Sequence, residues 1–293
     1  MMRVVLFIAT NLAVMLVVGI VASVFGLQGR TGGLGGLLLM SAVIGMTGSM
    51  ISLFISKWAA KRSTGAQVIE QPRNEAEAWL MNTVRRQADK AGIGMPEVAV
   101  YDAPEMNAFA TGWNRNKALV AVSTGLLRQM NRDELEAVLA HEVSHVANGD
   151  MVTLSLLQGV LNTFVVFFSS IVANIVSGFL RRGDNDGPGF IDSIVHTVVY
   201  IVLQILFGLL ASMIVMWFSR RREFRADHGG ATLASRQGMI NALRRLGGDR
   251  SDHVLPEEVQ AFGISGARTS GLRKLFMSHP PIEERIAALE AAR

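Results

Sequence analysis

The stretch that decides this chain is His141-Glu142-Val143-Ser144-His145. It lies inside a run that opens with Asn131-Arg132-Asp133-Glu134 and stops at Gly149. Asn131 with Glu134 three residues on reads as a capping box. Leu135, Val138, Leu139, Val143 and Val146 recur at the spacing of one helix face. The pentapeptide is therefore predicted on a capped helix. Residues four apart on a helix are neighbours, one turn up, so His141 and His145 can turn their imidazoles to a single metal ion. Glu142 is rotated by about 100°. It misses the ion but reaches a water beside it, the role an acid/base would fill. Two surface histidines would be the bland alternative, and the capped, apolar-faced context speaks against it.

A hydrolytic metal site of this kind has three protein ligands and one open position. The chain has no cysteine, so the third ligand is a carboxylate or another histidine. Glu223, in Arg222-Glu223-Phe224-Arg225-Ala226-Asp227, is the candidate, with His228 as a competitor. Asp227, one turn on, can hold a ligand histidine in one tautomer. Its alternative is a salt bridge to Arg222 or Arg225. The donor set of two histidines and one glutamate matches catalytic zinc.

Outward from these motifs the chain is very apolar. Of its 293 residues 50% are hydrophobic and only 18% charged, against about 25% charged in soluble domains. Disorder and a disulfide-stapled secreted module are excluded on these grounds. Val4–Leu27, Leu34–Ser56, Met151–Leu180 and Ser193–Ser219 carry no charge, and each has the roughly 20 residues that span a bilayer. The last two contain polar residues such as Asn174 and His196 and could instead line a groove. The first block lacks a cleavage site and reads as an uncleaved anchor. The organisation expected is 1–56 as two membrane helices, 57–150 as the first part of a polar domain, 151–219 as a membrane hairpin and 220–293 as the second part. The class is α+β, mainly α. Lys57, Lys61, Arg62 and the arginines from Arg220 to Arg225 place the polar parts on the cytoplasmic side; Arg181 and Arg182 disagree. The net charge of +4 is explained by these flanks, so no nucleic-acid partner is expected. Ser41, Gly45 and Ser49 form a small-residue row, expected to pack against the first block.

Within 57–150 a helix over 74–91 is followed by strands over 97–101, 107–111 and 118–123. The strand from Asn107 through Ala108 and Phe109 to Thr111 is a candidate sheet edge to which an extended substrate would add by backbone pairing.

Taken together, the two N-terminal apolar blocks, Glu70 to Asn74, Asn107 to Gly112, Leu119 to Ser123, His141 to Asp150, Glu223 to Asp227 and Ser278-His279-Pro280-Pro281 make the chain similar to the HtpX family. These are bacterial, heat-shock-associated membrane zinc proteases related to the CAAX prenyl endopeptidases. The resemblance implies a zincin-like (gluzincin) domain, zinc on His141, His145 and Glu223, Glu142 as acid/base, and a bacterial inner-membrane location. It also implies damaged or misassembled membrane proteins as substrates, membrane lipid as surroundings and other membrane quality-control proteases as partners. It makes His279 a candidate donor to the scissile carbonyl and singles out Arg285. Spacing alone reads Ser278 to Pro281 as a turn that starts a helix. A metal-binding scaffold without turnover is the competing reading. A transporter is disfavoured, because the apolar blocks hold no ionisable Asp, Glu, Lys or Arg.

Overall fold

The computed structural model describes residues 33–180, 190–248 and 277–292. The expected first membrane helix and the Arg181–Arg182 pair lie outside them. The described chain runs α1 (Leu34–Thr64), β1 (Gln67–Val68), α2 (Glu75–Ala91), β2 (Glu97–Tyr101), β3 (Ala108–Thr111), β4 (Leu119–Ser123), α3 (Thr124–Gln129), α4 (Arg132–Ala147), α5 (Asp150–Leu180), α6 (Phe190–Leu233), α7 (Arg236–Gly248) and α8 (Ile282–Ala291). It is α+β and mainly helical. Its residues form two compact units, one holding those up to Leu53 with Leu154–Val215, the other Phe54–Thr153 with those from Met216 on. The chain passes from one to the other inside α1, α5 and α6.

The described residues of the apolar unit are almost all helical. Leu34–Thr64, Asp150–Phe179 and Ser193–Leu233 are long and apolar enough to cross a membrane. Phe164, Phe168, Val202 and Ile205 face outward, which suits lipid and not water. The small-residue row has a partner that the expectation did not name. A side chain at Gly45 would run into Thr163, and one at Gly159 into Met46 and Ser49. The row therefore receives the third apolar block; the first lies outside the described residues. Paired glycines let two backbones approach closely, which is what holds helices together where lipid removes the hydrophobic drive.

The mixed unit is built around a four-stranded sheet of order β1-β2-β4-β3. β2 and β4 are parallel, and β1 and β3 are antiparallel to their neighbours. β4 is buried along its whole length, as its unbroken apolar run predicts. Alternation puts Val98, Val120 and Val122 on one face, against Leu80 and Val84 of α2, Leu135 and Leu139 of α4, and Met239 and Leu243 of α7. Each such side chain contributes about 1.5–3 kcal/mol by leaving water. Ala99, Tyr101, Leu119 and Ala121 point to the other face. β1 and β3 are the two edges of the sheet among the described strands.

Local signals end the helices. Asn74 caps α2, accepting from the Glu77 N–H at 2.8 Å, and Gly92 closes it in the left-handed region. The predicted capping box opens α4, with the Glu134 N–H donating to Asn131 Oδ1 at 2.9 Å and the Asn131 N–H to Glu134 Oε2 at 3.1 Å. Gly149, at φ 66°, breaks the chain between α4 and α5.

Candidate metal centre

One turn apart on α4, His141 and His145 turn their Nε2 atoms to within 3.2 Å of each other. Glu223 arrives from α6, Oε2 lying 3.5 Å from His141 Nε2 and Oε1 3.3 Å from His145 Nε2. All three residues are buried, and one donor atom from each lies within 4.8 Å of the others. Two glycines make this crossing of α4 and α6 tight. A side chain at Gly229 would fall on Ser144, and one at Gly230 would press on the His141 backbone. Small residues thus set the depth at which Glu223 is delivered.

Behind each imidazole stands a carboxylate, and behind each carboxylate an arginine. His145 Nδ1 lies 2.7 Å from Asp150 Oδ2. Asp150 is fully buried, with Arg225 Nη2 donating to its Oδ1 at 3.0 Å and Arg222 Nη1 to its backbone oxygen at 3.2 Å. His141 Nδ1 lies 3.0 Å from Asp227 Oδ1. The ring N–H there is not aimed at the oxygen, so that contact is electrostatic more than directional. Arg285 holds Asp227 through two bonds, Nε to Oδ2 at 2.7 Å and Nη2 to Oδ1 at 2.6 Å. Such a two-pronged pair is among the strongest hydrogen-bonded contacts. Asp227 therefore stands beside the ring as a charge, and its salt bridge is to Arg285; Arg222 and Arg225 serve Asp150 instead. His228, weighed as a competing ligand, is exposed and outside the donor group.

These surroundings fit a cation. Carboxylates at both Nδ1 positions favour keeping the proton there and leave Nε2 lone pairs facing Glu223. Glu223 Oε2 has His279 Nδ1 at 2.8 Å and Arg285 Nη1 at 3.4 Å, yet forms no aligned hydrogen bond. A buried carboxylate oxygen rarely remains so poorly matched, and a cation shared with the two Nε2 atoms would answer it. The titration of the rings agrees. Burial pushes His145 toward its neutral form, but the Asp150 and Glu223 carboxylates outweigh it and raise its pKa to about 9. His141 is raised too, with burial opposed by Asp227 and Glu223. The site calls for positive charge at both rings.

Glu142 is half-buried and lines a cleft of about 140 Å³ with Met106, Asn107, Ala108, His141, Glu223 and His279. Its floor is apolar, from Leu126, Val138 and Met239. Asn107 and Ala108 thus belong to the cleft wall. Phe109 belongs to the opposite face of the sheet, beside Tyr101. Successive strand residues point to opposite faces, so the Phe109 side chain points away from the cleft that Ala108 lines. His279 is 64% exposed at its side chain. It is not a helix cap, since Pro281 occupies that position without a side-chain bond.

Sequence reasoning missed Asp150, Arg225 and the pair Gly229–Gly230. Asp150 follows a helix break, so no helical spacing ties it to His145.

A family model described as Peptidase family M48 matches residues 74–293. The chain is 59% identical over 290 residues to the Protease HtpX of Xanthomonas campestris pv. campestris, covering 99% of this chain and 97% of that one. It is 62% identical over 292 residues to the Protease HtpX homolog of Desulfotalea psychrophila, covering 99% and 100%. Among solved structures it resembles the S. mikatae Ste24p crystal structure, with a TM-score of 0.68 at 18% identity. That match covers 98% of this chain but 64% of the other, and at such identity it speaks for the fold alone.

Proposed function

Because the chain belongs to peptidase family M48, as a membrane metalloprotease of the HtpX type, we propose that it is a zinc-dependent endopeptidase working on the cytoplasmic side of a bacterial inner membrane. Its substrates are damaged or misassembled membrane proteins. One observation carries this reading: His141, His145 and Glu223 converge beside Glu142 in a cleft walled by the sheet's edge strand.

Two imidazole nitrogens and one carboxylate are the donor set of catalytic zinc. Such an ion supplies polarisation of the substrate carbonyl and acidification of water. The chain's own residues do the rest. Glu142 takes a proton from the attacking water and passes it to the leaving amine nitrogen. His279, exposed at the cleft, donates to the oxygen as negative charge develops on it. Asp150 and Asp227 keep the ligand rings in place, the second with the help of Arg285. The edge of β3 from Asn107 through Phe109 pairs with an extended substrate through backbone groups, which explains tolerance of many sequences. Lys57, Lys61, Arg62 and the Arg220–Arg225 cluster support the cytoplasmic orientation. Only Asn148 and Gly149 separate α4 from the apolar helix α5, so the catalytic helix works next to lipid in sequence. Other membrane quality-control proteases are expected to share its substrates.

The test uses detergent-purified full-length protein, with metal content and cleavage of casein or a model membrane protein measured with and without chelator. Glu142→Gln should keep its zinc and lose about 10²–10⁴ in rate. A Glu142→Gln protein that cleaves normally, or that restores a deletion strain in full, would overturn the protease mechanism in favour of a metal-binding scaffold.

A further inference from the structure

Away from the cleft, the mixed unit has a second recess of about 810 Å³, lined by Thr153, Trp217, Phe218, Arg221, Arg222 and Phe224, with Asn148 and Arg225 at its margin. No acidic residue lines it. Its walls combine aromatic faces with three guanidinium groups, and those groups are unevenly satisfied. Arg221 stacks over the Trp217 ring at 4.7 Å and has no carboxylate partner among the described residues. Arg225 gives one nitrogen to Asp150 while its side chain stays 58% exposed. Arg222 is only 6% exposed. Its two terminal nitrogens hold the Asp150 backbone oxygen and Ser219 Oγ, but its Nε is buried without a hydrogen-bond partner. A buried guanidinium N–H left unpaired is costly. That group is buried behind the recess, whose exposed cations are Arg221 and Arg225.

The position along the chain says what would fill it. Trp217 lies two residues past Val215, the last residue of the apolar unit, and the uncharged run ends at Ser219. Tryptophan followed by arginines marks the level of lipid headgroups. We propose that this recess is a binding site for an anionic phospholipid. The phosphate sits between the exposed Arg221 and Arg225, with the buried charge of Arg222 behind them, and the start of the acyl chains lies against Trp217, Phe218 and Phe224. The volume falls in the range of small-molecule sites, enough for a headgroup. A zwitterionic lipid carries an ammonium that this cluster repels, and free phosphate makes no use of the aromatic wall.

The test measures binding, not cleavage, so its outcome is independent of the protease reading. Delipidated full-length protein in neutral detergent is titrated with dioleoyl phosphatidylglycerol, dioleoyl phosphatidylcholine or inorganic phosphate, and the melting temperature and lipid retention in native mass spectrometry are read. Phosphatidylglycerol should raise the melting temperature and remain bound, and the other two should not. Arg221→Gln, an exposed position whose change leaves the fold intact, should weaken phosphatidylglycerol binding about fivefold, the factor one basic residue contributes near an anionic headgroup. Arg115→Gln, on an exposed turn beyond the recess, should leave it unchanged. Equal binding of phosphatidylcholine, an equal shift with inorganic phosphate alone, or an unaltered affinity in Arg221→Gln would each overturn the proposal.

Discussion

Asp150 shows how much one buried carboxylate controls. It sits on His145 Nδ1 at 2.7 Å and is fixed by Arg225. Replacing it with Asn keeps the shape but removes the charge that makes the ring a strong ligand. Asp150→Asn should lower zinc affinity about 10–100-fold, read by competition with a chromophoric chelator, while the melting temperature of the chelator-treated protein shows whether the fold survives. An unchanged affinity would mean that the contact only packs. The same ring gives a pH prediction. The pKa of His145 in the fold is about 9, above its ordinary value of about 6.5. A raised pKa means that the folded state binds its proton more tightly than the unfolded chain does. In chelator-treated protein that contribution is complete below about pH 6.5 and is lost as pH rises through 9. The melting temperature should therefore fall between pH 7 and 10, and a flat profile would contradict it. With zinc supplied the sign reverses for the metal: protons compete for the same nitrogens, so affinity should drop as the solution is acidified.

At the scale of elements, the decisive contact is the crossing of α4 and α6. Helices meet this closely only where side chains vanish, and Gly229 against Ser144 is such a place. Gly229→Val forces the helices apart and carries Glu223, on the same helix, away from the two imidazoles. Overpacking of this kind costs about 1–3 kcal/mol, and it should cost zinc occupancy as well as melting temperature. Gly208→Ala, where an added carbon meets nothing within 4 Å, should be neutral or slightly stabilising, because alanine favours helix over glycine. Equal loss of zinc in both variants would refute the geometric account. The sheet acts at the same scale. β1 and β3 are both edges of the sheet, and β3 is the one whose start, Asn107 and Ala108, lines the cleft, which is why the proposed substrate pairing is assigned to it.

At the scale of the whole molecule, the chain leaves the mixed unit once, for the long apolar passage Leu154–Val215, and returns. The donors of the candidate metal site come from both sides of that passage, His141 and His145 before it and Glu223 after it. The proposed orientation rests on charge and has a direct test, made easy because the protein has no cysteine. A single cysteine at the exposed position Asp89 should react with a membrane-impermeant maleimide in inverted membrane vesicles and not in intact spheroplasts. The opposite pattern would put the catalytic unit outside and remove cytoplasmic proteolysis from consideration.

What the sequence alone decided was everything governed by a local period or a length. The i, i+4 spacing placed His141 and His145 on one face, the capping box at Asn131 and the break at Gly149 bounded their helix, and the uncharged runs marked the long apolar helices. Helical geometry is the same in every chain, so such features need no knowledge of neighbours. Glu223 and Asp227 were within reach because their charges stand next to an apolar run that must return the chain. The tertiary structure alone decided that Asp150 backs His145, that Arg285 and not Arg222 or Arg225 secures Asp227, that Gly229 sets the depth of Glu223, and that the row at Ser41 to Ser49 receives the third apolar block. These depend on where two distant segments cross and at what angle. No period in the sequence encodes that crossing, because it is fixed by the sum of many packing contacts and not by any one residue's neighbours.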